Sequence, residues 1–327
     1  MRVAITGAAG FLGRKLAGRL AATGRLGRTP ITGMTLVDVV IPAAPQGAPF
    51  PVTCRAGDIA APGGADHLAD AGTGAVFHLA AVVSAQAEAD FDLGWRVNLD
   101  GTRAVLEACR RAGSRPRLVF TSSVASYSGG QAAVITDDQR PVPANSYGAQ
   151  KAAGELLVHD HARKGHVDGV SLRLPTIVVR PGRPNRAASS FASSILREPL
   201  IGEEAHLPVP EDFALWIASP RAATDWLIHA ATMDTAPLGL DRGLNPPGLT
   251  VTVREMLAAL EAVGGHAAMR LVSRVEDPDV AAIVGAWPAR FDAARAKVLG
   301  FREHEGIEAV VRSFVEDDLA ETRALRG

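Results

Sequence analysis

The stretch Thr6-Gly7-Ala8-Ala9-Gly10-Phe11-Leu12-Gly13 decides how this chain folds. It follows a short apolar run at residues 2–6, typical of a buried strand, and it opens a segment of helical period. Glycines at Gly7, Gly10 and Gly13 permit a tight turn and let backbone N–H groups approach a pyrophosphate. The helix N-terminus adds partial positive charge there. The pattern predicts a dinucleotide-binding loop that also includes Phe11 and Leu12, and a purely structural glycine-rich turn is the alternative.

Outward from this loop, short β-rich runs alternate with longer helical segments, as in a parallel sheet covered by helices. We expect strands at residues 2–6, 34–39, 51–55, 75–79, 117–121 and 169–174, and helices at 11–22, 91–111 and 146–163. The alternation predicts an α/β fold with a doubly wound parallel sheet. It ends after residue 174, at the turn-forming run 180–185. We therefore expect a cofactor-binding domain at 1–174 with a return segment near 209–243, and a smaller mixed α/β substrate lobe at 175–208 and 244–327.

Composition excludes several classes of function. The chain has 327 residues, is 47% hydrophobic and has a formal net charge of -1, so it has no basic field for nucleic acid. No segment approaches the roughly 18 uncharged apolar residues of a membrane helix, and we expect a soluble cytoplasmic protein. Cys54 and Cys109 have no metal-ligand spacing, so we expect no metal site and two small core residues.

Asp38 ends the second predicted strand, where an acid would bond the ribose hydroxyls of a dinucleotide. Its charge would repel a 2′-phosphate, which favours NAD over NADP. Arg14 and Lys15, just after the glycine loop, are the basic residues that could instead reach the adenosine side. Further cofactor contacts are expected at Asp58, Ile59, Leu79, Ala80 and Ala81. His78, taken alone, is interpreted as a core residue with no chemistry.

Tyr147 and Lys151 lie four residues apart in a predicted helix, so their side chains share one face. An ammonium lowers the pKa of a neighbouring phenol from its ordinary value near ~10, which makes Tyr147 a candidate general base. Ser122 and Ser123 end the fifth strand at the sheet edge where ligands bind. Either serine could hold an alcohol oxygen, and their position alone does not choose between them.

Together these motifs resemble those of the extended short-chain dehydrogenase/reductases. In chain order they are the glycine loop, Asp38, Gly57-Asp58-Ile59, His78-Leu79-Ala80-Ala81, Asn98-Leu99-Asp100-Gly101-Thr102, Thr121-Ser122-Ser123 and Tyr147 to Lys151. The resemblance implies a Rossmann-type fold with Tyr147 as acid/base, Lys151 bonded to the nicotinamide ribose, and Ser123 aligning the reacting hydroxyl. Ser123 is selected because it lies four residues before Tyr127, which occupies the position of a family aromatic. Cofactor contacts are also implied at Asn98, Thr121, Pro175 and Ile177, with Asn98 acting either as a helix contact or in a proton relay.

The substrate is predicted by what the motifs contain and omit. The run 121–123 has no carboxylate for eliminating water, and the run 215–223 lacks the paired aspartates of nucleotide-sugar enzymes. Arginines in the second lobe could bind a carboxylate through bidentate bonds: Arg180, Arg183, Arg186, Arg221 and Arg290. Residues 84–94, 174–185, 188–193, 197–200 and 287–292 are similar to those of dehydrogenases of small sugar acids within the extended family.

The resemblance therefore predicts NAD-dependent oxidation of the C2 hydroxyl of a small polyhydroxy carboxylate to a 2-oxo acid. Substrate contacts are expected at Ser84, Ser123, Tyr147, Arg183, Asn185, Ser190 and Arg290. Two alternatives stay open: an epimerase that regenerates its NAD, and a non-catalytic protein that senses the redox state of NAD(P). A homodimer through the helices at 91–111 and 146–163 is possible, although their apolar stripes serve equally to cover the sheet.

Overall fold

The computed structural model describes residues 1–130, 132–182, 189–303 and 306–326. Its strands are β1 (Arg2–Thr6), β2 (Arg25–Leu26), β3 (Thr29–Pro30), β4 (Gly33–Asp38), β5 (Val52–Ala56), β6 (Thr73–His78), β7 (Arg117–Ser123), β8 (Asp168–Leu174), β9 (Thr176–Ile177), β10 (Ala205–Leu207), β11 (Ala214–Ala218), β12 (Gly243–Leu244), β13 (Leu249–Thr252) and β14 (Val272–Arg274). Its helices are α1 (Phe11–Thr23), α2 (Ser84–Ala89), α3 (Phe91–Gly94), α4 (Gly101–Ala112), α5 (Ser146–Arg163), α6 (Ser190–Ile201), α7 (Pro220–Thr232), α8 (Val253–Met269), α9 (Pro278–Gly285), α10 (Ala294–Val298), α11 (Ile307–Asp317) and α12 (Leu319–Ala324). A π-helical segment, Trp95–Asp100, joins α3 to α4, and 3₁₀ turns lie at Val124–Tyr127 and Ala236–Leu238.

The central sheet has seven strands in the order β12-β8-β7-β6-β1-β4-β5. β1 pairs in parallel with β4 on one side and with β6 on the other. The strand order therefore reverses beside β1, which is the topological switch point where doubly wound sheets bind ligands. The predicted fold class is confirmed.

The predicted elements of the first half agree with the observed ones to within a few residues, and the helix at 146–163 has the predicted bounds. The single helix expected at 91–111 is present but contains the π-helical segment in its middle. The two-residue strands β2, β3, β9 and β12 were not predicted, because so short a strand carries no periodic signal. Cys109 is fully buried as expected, whereas Cys54 is only half-buried, because β5 lies at the edge of the sheet.

The first compact unit comprises Met1–Ser126, Asn145–Arg173 and Thr224–Leu244. One face of its sheet is covered by α4 and α5, whose apolar side chains form a common core with the strands. Its members include Val76, Leu106, Leu118, Phe120 and Val158. α1 and α7 are joined by an ion pair between Arg19 and Asp225, with a nitrogen–oxygen distance of 3.2 Å.

The second compact unit comprises Tyr127–Ala144, Leu174–Ala223 and Asn245–Gly327. It contains a three-stranded sheet in the order β13-β11-β9 and a parallel pair formed by β10 and β14. Its core joins α6, α8 and α11 to these strands. The return segment to the first unit is Thr224–Leu244, later than the expected 209–243, because β11 pairs with β9 and β13 in the second unit. Residues 127–144 also belong to the second unit, where Ile135 forms a parallel bridge with Phe291.

Candidate active site

Two glycines of the predicted loop are required by steric contacts. Gly7 has a φ of 70°, and a Cβ on it would lie 2.6 Å from the backbone nitrogen of Ala80. A Cβ on Gly13 would lie 2.3 Å from the carbonyl oxygen of Gly7. Real Cβ atoms do not approach backbone so closely, so any other residue at these positions would displace the backbone.

The loop ends at the N-terminus of α1. Gly10 is the N-cap, and it contributes no capping side chain. Phe11 and Leu12 form the first turn, which also lacks an acidic residue. Backbone N–H groups at such a helix start are unsatisfied within the helix and favour an anion. The glycine cradle and this uncapped helix start fit the pyrophosphate of a dinucleotide.

Asp38 ends β4 beside this loop. Its Oδ2 accepts a hydrogen bond from Ala9 N at 2.9 Å, and its Oδ1 accepts one from Val39 N at 2.7 Å. The half-buried carboxylate thereby ties the glycine loop to the end of the strand. Each oxygen keeps a further lone pair for a ribose hydroxyl, since an ionised carboxylate accepts about four hydrogen bonds. The position fits the predicted ribose-binding acid.

Asp58, one of the expected cofactor contacts, is bonded to other groups of its own unit. Its carboxylate accepts from Arg96 Nη1 at 2.5 Å and from Ala60 N at 2.9 Å. Burial raises the pKa of Asp58, but the bonds from Arg96 and Ala60 outweigh this effect and leave the pKa below its ordinary value. The neighbouring Ile59 is 4% exposed and belongs to the core.

The residues that follow β6 are Leu79, Ala80 and Ala81, all half-buried, and Ala80 packs against Gly7. His78 ends β6 and is buried. Its Nδ1 lies 2.7 Å from Thr6 Oγ1, and its Nε2 lies 2.9 Å from Thr102 Oγ1.

The protonation of His78 follows from these bonds. Thr102 donates its own hydroxyl to Asn98 O, so it accepts from His78 Nε2. Burial, with a smaller contribution from Lys151, lowers the pKa of His78 to about 3. The ring is therefore a neutral structural link between β6 and α4.

Asn98 lies in the π-helical segment and is buried. Its Oδ1 accepts from Val82 N at 2.8 Å. Its Nδ2 donates to Val82 O at 3.1 Å and to Gln150 Oε1 at 2.7 Å. The amide thus joins the loop after β6 to α5, in the manner of a structural helix contact.

Tyr147 and Lys151 lie on one face of α5, as their spacing predicted. Lys151 Nζ lies 5.6 Å from the ring centroid of Tyr147 and 4.8 Å from that of Phe120. It donates a hydrogen bond to the carbonyl oxygen of Thr121 at 2.8 Å, which fixes it against the end of β7. The Thr121 hydroxyl donates in turn to His78 O at 3.2 Å.

The charge of Lys151 is finely balanced. The side chain is 2% exposed. Burial lowers the pKa of Lys151 to about 7, and the negative charge of Glu155 acts in the opposite direction. Near neutral pH the residue can therefore exist with or without its proton, so its surroundings decide which form dominates.

The start of α5, which carries Tyr147, is held by two side chains. Asn145 Oδ1 caps the helix by accepting from Gly148 N at 2.7 Å. Glu88 Oε2, from α2, accepts from Ser146 N at 2.7 Å. A carboxylate at a helix N-terminus is stabilising. These bonds fix the first turn of α5 and the backbone of Tyr147.

The two serines at the end of β7 have different environments. Ser122 is buried and donates its hydroxyl to Glu155 Oε1. Ser123 is half-buried, and its Oγ accepts from Ala125 N at 3.1 Å. Successive residues of a strand point to opposite faces, so the two hydroxyls diverge. The Ser122 hydroxyl is therefore engaged with Glu155, and the serine that the family resemblance selected, Ser123, is the other one.

Sequence reasoning missed a buried ion pair behind this site. Glu155 lies one helical turn after Lys151, and Arg173 interrupts the apolar strand β8. Arg173 Nη2 donates to Glu155 Oε2 at 2.7 Å, and Arg173 Nε donates to both carboxylate oxygens, at 3.1 and 3.0 Å. A charged residue inside a buried strand was the available signal, but the sequence does not identify its partner.

The predicted substrate residues fall in both units. Ser84, Ser123 and Tyr147 belong to the first unit, and Ser84 is the half-buried first residue of α2. Ser190 and Arg290 belong to the second unit. Ser190 begins α6 and is half-buried, while the exposed Arg290 accepts from Ile135 N at 2.9 Å through its carbonyl oxygen.

Other residues named from the sequence complete this description. Pro175 and Ile177 are buried in the second unit. Arg183, Asn185 and Arg186 lie outside the described residues. Arg221, one of the possible carboxylate ligands, instead binds Asp317 and Glu316, and these bonds raise the pKa of the guanidinium. The Arg221 guanidinium therefore binds two carboxylates of its own unit.

Within the described ranges, no group of three or more His, Cys, Asp or Glu side chains is arranged to hold a metal ion. Among the same residues, no helix combines the length and apolar character needed to cross a bilayer.

Comparison with known proteins shows what the chain is similar to. Residues 3–213 match the model of the NAD-dependent epimerase/dehydratase family. D-erythronate dehydrogenase from Cupriavidus necator is 50% identical over 321 residues, which cover 97% of this chain and 98% of that protein. D-erythronate dehydrogenase from Haemophilus influenzae is 43% identical over 319 residues, covering 98% of this chain and 100% of that protein.

A solved structure is also similar over nearly the full length. The crystal structure described as the nucleoside-diphosphate-sugar epimerase from Agrobacterium tumefaciens has a TM-score of 0.94 and 47% identity. The match covers 98% of this chain and 95% of the chain in that structure.

Proposed function

The chain belongs to the NAD-dependent epimerase/dehydratase family, and from that membership we propose that it oxidises the C2 hydroxyl of D-erythronate to give 2-oxo-tetronate. The resemblance to extended short-chain dehydrogenase/reductases is thereby confirmed, and NAD is the cofactor that the family and its relatives imply. The two curated relatives named D-erythronate dehydrogenase support the choice of substrate, since both match over nearly all of their length.

The observation that carries the proposal is the placement of Lys151 Nζ 5.6 Å from the Tyr147 ring on one face of α5. A positive charge there favours the phenolate, so Tyr147 accepts the proton of the C2 hydroxyl. Ser123 donates a hydrogen bond that holds the reacting oxygen. Base catalysis of this kind contributes about 10² to 10⁴ in rate, and the alignment of the reactants contributes further. When bound, NAD supplies the acceptor for the hydride.

The first unit is proposed as the NAD-binding domain and the second as the source of substrate contacts. The glycine loop receives the pyrophosphate, and Asp38 bonds the ribose. Further contacts to the cofactor are proposed for Phe11, Leu12, Asp58, Ile59, Leu79, Ala80, Ala81, Asn98, Thr121, Tyr147, Lys151, Pro175 and Ile177.

For the substrate, we propose that Ser84, Ser123 and Tyr147 bind hydroxyls. Arg290 is proposed to bind the carboxylate, because a guanidinium matches its two oxygens. Ser190 is proposed to contribute a further hydroxyl contact. Arg183 and Asn185, outside the described residues, keep the substrate roles expected from the sequence.

An epimerase that regenerates its NAD is the second candidate function, favoured by the similarity to the Agrobacterium tumefaciens structure. Incubating the protein with D-erythronate and NAD separates the two. A dehydrogenase accumulates NADH in proportion to substrate consumed, whereas an epimerase shows no net change in NADH absorbance. The matched control is Tyr147→Phe, which keeps the aromatic ring and removes its hydroxyl. If D-erythronate produces no NADH with the wild-type protein, the proposed substrate is wrong.

The third reading, a non-catalytic protein that senses the redox state of NAD(P), has less support. Such a role does not require Tyr147 and Lys151 to lie side by side, and the two side chains do so on α5. A protein that bound NAD but turned over none of the C3 to C6 aldonates would support it.

We also propose a homodimer through the helices at 91–111 and 146–163, where Phe91 is 59% exposed and Leu156 is 69% exposed. Leu156→Glu should then lower the mass measured by light scattering to that of one chain. A cytoplasmic location, where NAD is abundant, is proposed with it, and cell fractionation would test that location.

A further inference from the structure

The Glu155–Arg173 pair is nearly removed from solvent. The two side chains are 10% and 7% exposed, and Ser122 adds a third donor to the carboxylate. Gly243, in the edge strand β12, closes the pair from one side. A Cβ on Gly243 would lie 2.4 Å from Arg173 Nη2 and 3.1 Å from Glu155 Oε2. The surroundings are thus shaped around this particular ion pair.

The burial of such a pair is by itself weak evidence that it stabilises the fold. Removing two charges from water costs about as much as their attraction returns, and well-packed apolar residues of similar volume are often as stable or more so. A buried pair that is enclosed so closely calls for another role. Its position beside the site suggests where that role lies.

Tyr147, Lys151 and Glu155 follow one another at four-residue intervals along α5, so phenol, ammonium and carboxylate lie on one face. The other groups facing Lys151 are Thr121 O and the Phe120 ring from β7, and the neutral His78 from β6. Arg173, from β8, lies behind the carboxylate. Among the described residues, Glu155 is therefore the carboxylate, one helical turn along α5, that acts on the charge of Lys151.

We propose that Glu155, clamped by Arg173 and Ser122, is a positioning residue that keeps Lys151 protonated so that Lys151 can hold the Tyr147 phenolate. Without it, the buried amine would lose its proton more readily and the general base would lose its cation. Arg173 has the opposite effect, because it shares the charge of Glu155 and limits how strongly that charge acts on Lys151. The consequence for catalysis rests on the proposed function, whereas the effect on Lys151 does not.

The test follows the proton on Lys151 directly. The chain contains only four lysines, Lys15, Lys151, Lys164 and Lys297, so protein made with lysine labelled with carbon-13 at the ε position gives four NMR signals. Lys151→Met identifies the signal of interest by its loss. The pH at the midpoint of its titration is then compared between wild type, Glu155→Gln and Arg173→Gln.

Glu155→Gln should lower the Lys151 midpoint by on the order of one pH unit. Arg173→Gln should raise it, although it breaks the same ion pair. A merely structural pair predicts no such opposition, so an unmoved midpoint in Glu155→Gln, or equal shifts in both variants, overturns the proposal. Ser122→Ala is the matched comparison: it removes one hydrogen-bond donor from the Glu155 carboxylate but no charge, so it should move the midpoint less than Glu155→Gln does.

Each single variant leaves one buried charge without its partner and therefore risks misfolding. The double variant Glu155→Gln/Arg173→Gln removes both charges and serves if the single variants do not fold. Its midpoint should also fall, because Glu155 faces Lys151 more directly than Arg173 does; an unchanged midpoint in the double variant contradicts the proposal. Turnover of D-erythronate is measured in parallel. Absence of turnover in the wild type would refute the proposed function and leave the NMR result intact.

Discussion

Replacing Gly13 by alanine tests whether the glycine loop is the cradle of the cofactor, and Gly18→Ala supplies a matched control in the same helix. Both glycines lie within α1. In a helix interior, glycine to alanine gains about 1 kcal/mol in the free energy of unfolding. A Cβ on Gly18 has no atom within 4 Å, so this gain should appear in full.

At Gly13 the same gain is opposed by a contact. The new Cβ would lie 2.3 Å from the carbonyl oxygen of Gly7 and 2.7 Å from Ala8 Cα, so the loop backbone must move. Overpacking of this kind costs about 1–3 kcal/mol, which cancels or exceeds the helical gain. The displaced N–H groups would also lose a hydrogen bond to a charged phosphate, worth about 1.5–3 kcal/mol, or about tenfold or more in Kd.

The assay is titration calorimetry with NAD, combined with urea unfolding of both variants. Gly18→Ala should unfold at higher urea and bind NAD as the wild type does. Gly13→Ala should gain no stability and bind NAD at least about tenfold more weakly. Wild-type affinity in Gly13→Ala would refute the assignment of the loop to the pyrophosphate.

Three further results are expected. Tyr147→Phe should lose about 10² to 10⁴ in kcat while NAD still binds, as measured by calorimetry, and comparable loss of both would point to misfolding instead. Asp38→Asn should raise the ratio of kcat/KM for NADP to that for NAD by about tenfold or more, because it removes a charge that repels the 2′-phosphate; an unaltered ratio would place the discrimination elsewhere. Burial lowers the pKa of Lys151 to about 7 in the folded protein from 10.5, so between these values the unfolded chain binds more protons and stability should rise with pH. Chemical denaturation across that window should show the rise in wild type and a flatter curve in Lys151→Met.

Much of the first unit could be predicted from the sequence because its signals are local. The apolar run before Gly7 and the helical periods at 11–22 and 146–163 determine their elements without reference to distant residues. The parallel pairing of these strands then follows from the helical segments between them, because parallel strands need crossover connections. The Tyr147 and Lys151 pair is equally local, since one helical turn brings the two side chains together.

The rest depended on contacts between residues far apart in the chain. The partner of Arg173 could not be identified before the strand and α5 were packed together. Position alone did not separate Ser122 from Ser123, and only the family resemblance selected Ser123; the bond from Ser122 to Glu155 became visible once α5 was packed on β7. The strand β12 has two residues and is defined by its pairing with β8, and residues 127–144 belong to the second unit because Ile135 bridges Phe291.

The two bonds made by the Asp38 carboxylate constrain how cofactor choice can evolve or be engineered. The carboxylate that would distinguish NAD from NADP also accepts a hydrogen bond from Ala9 N in the glycine loop and one from Val39 N after the strand. A substitution that only admits a phosphate would also loosen the loop that must receive the pyrophosphate. A switch of preference should therefore require two changes together: a basic residue for the phosphate and a replacement acceptor for the Ala9 amide.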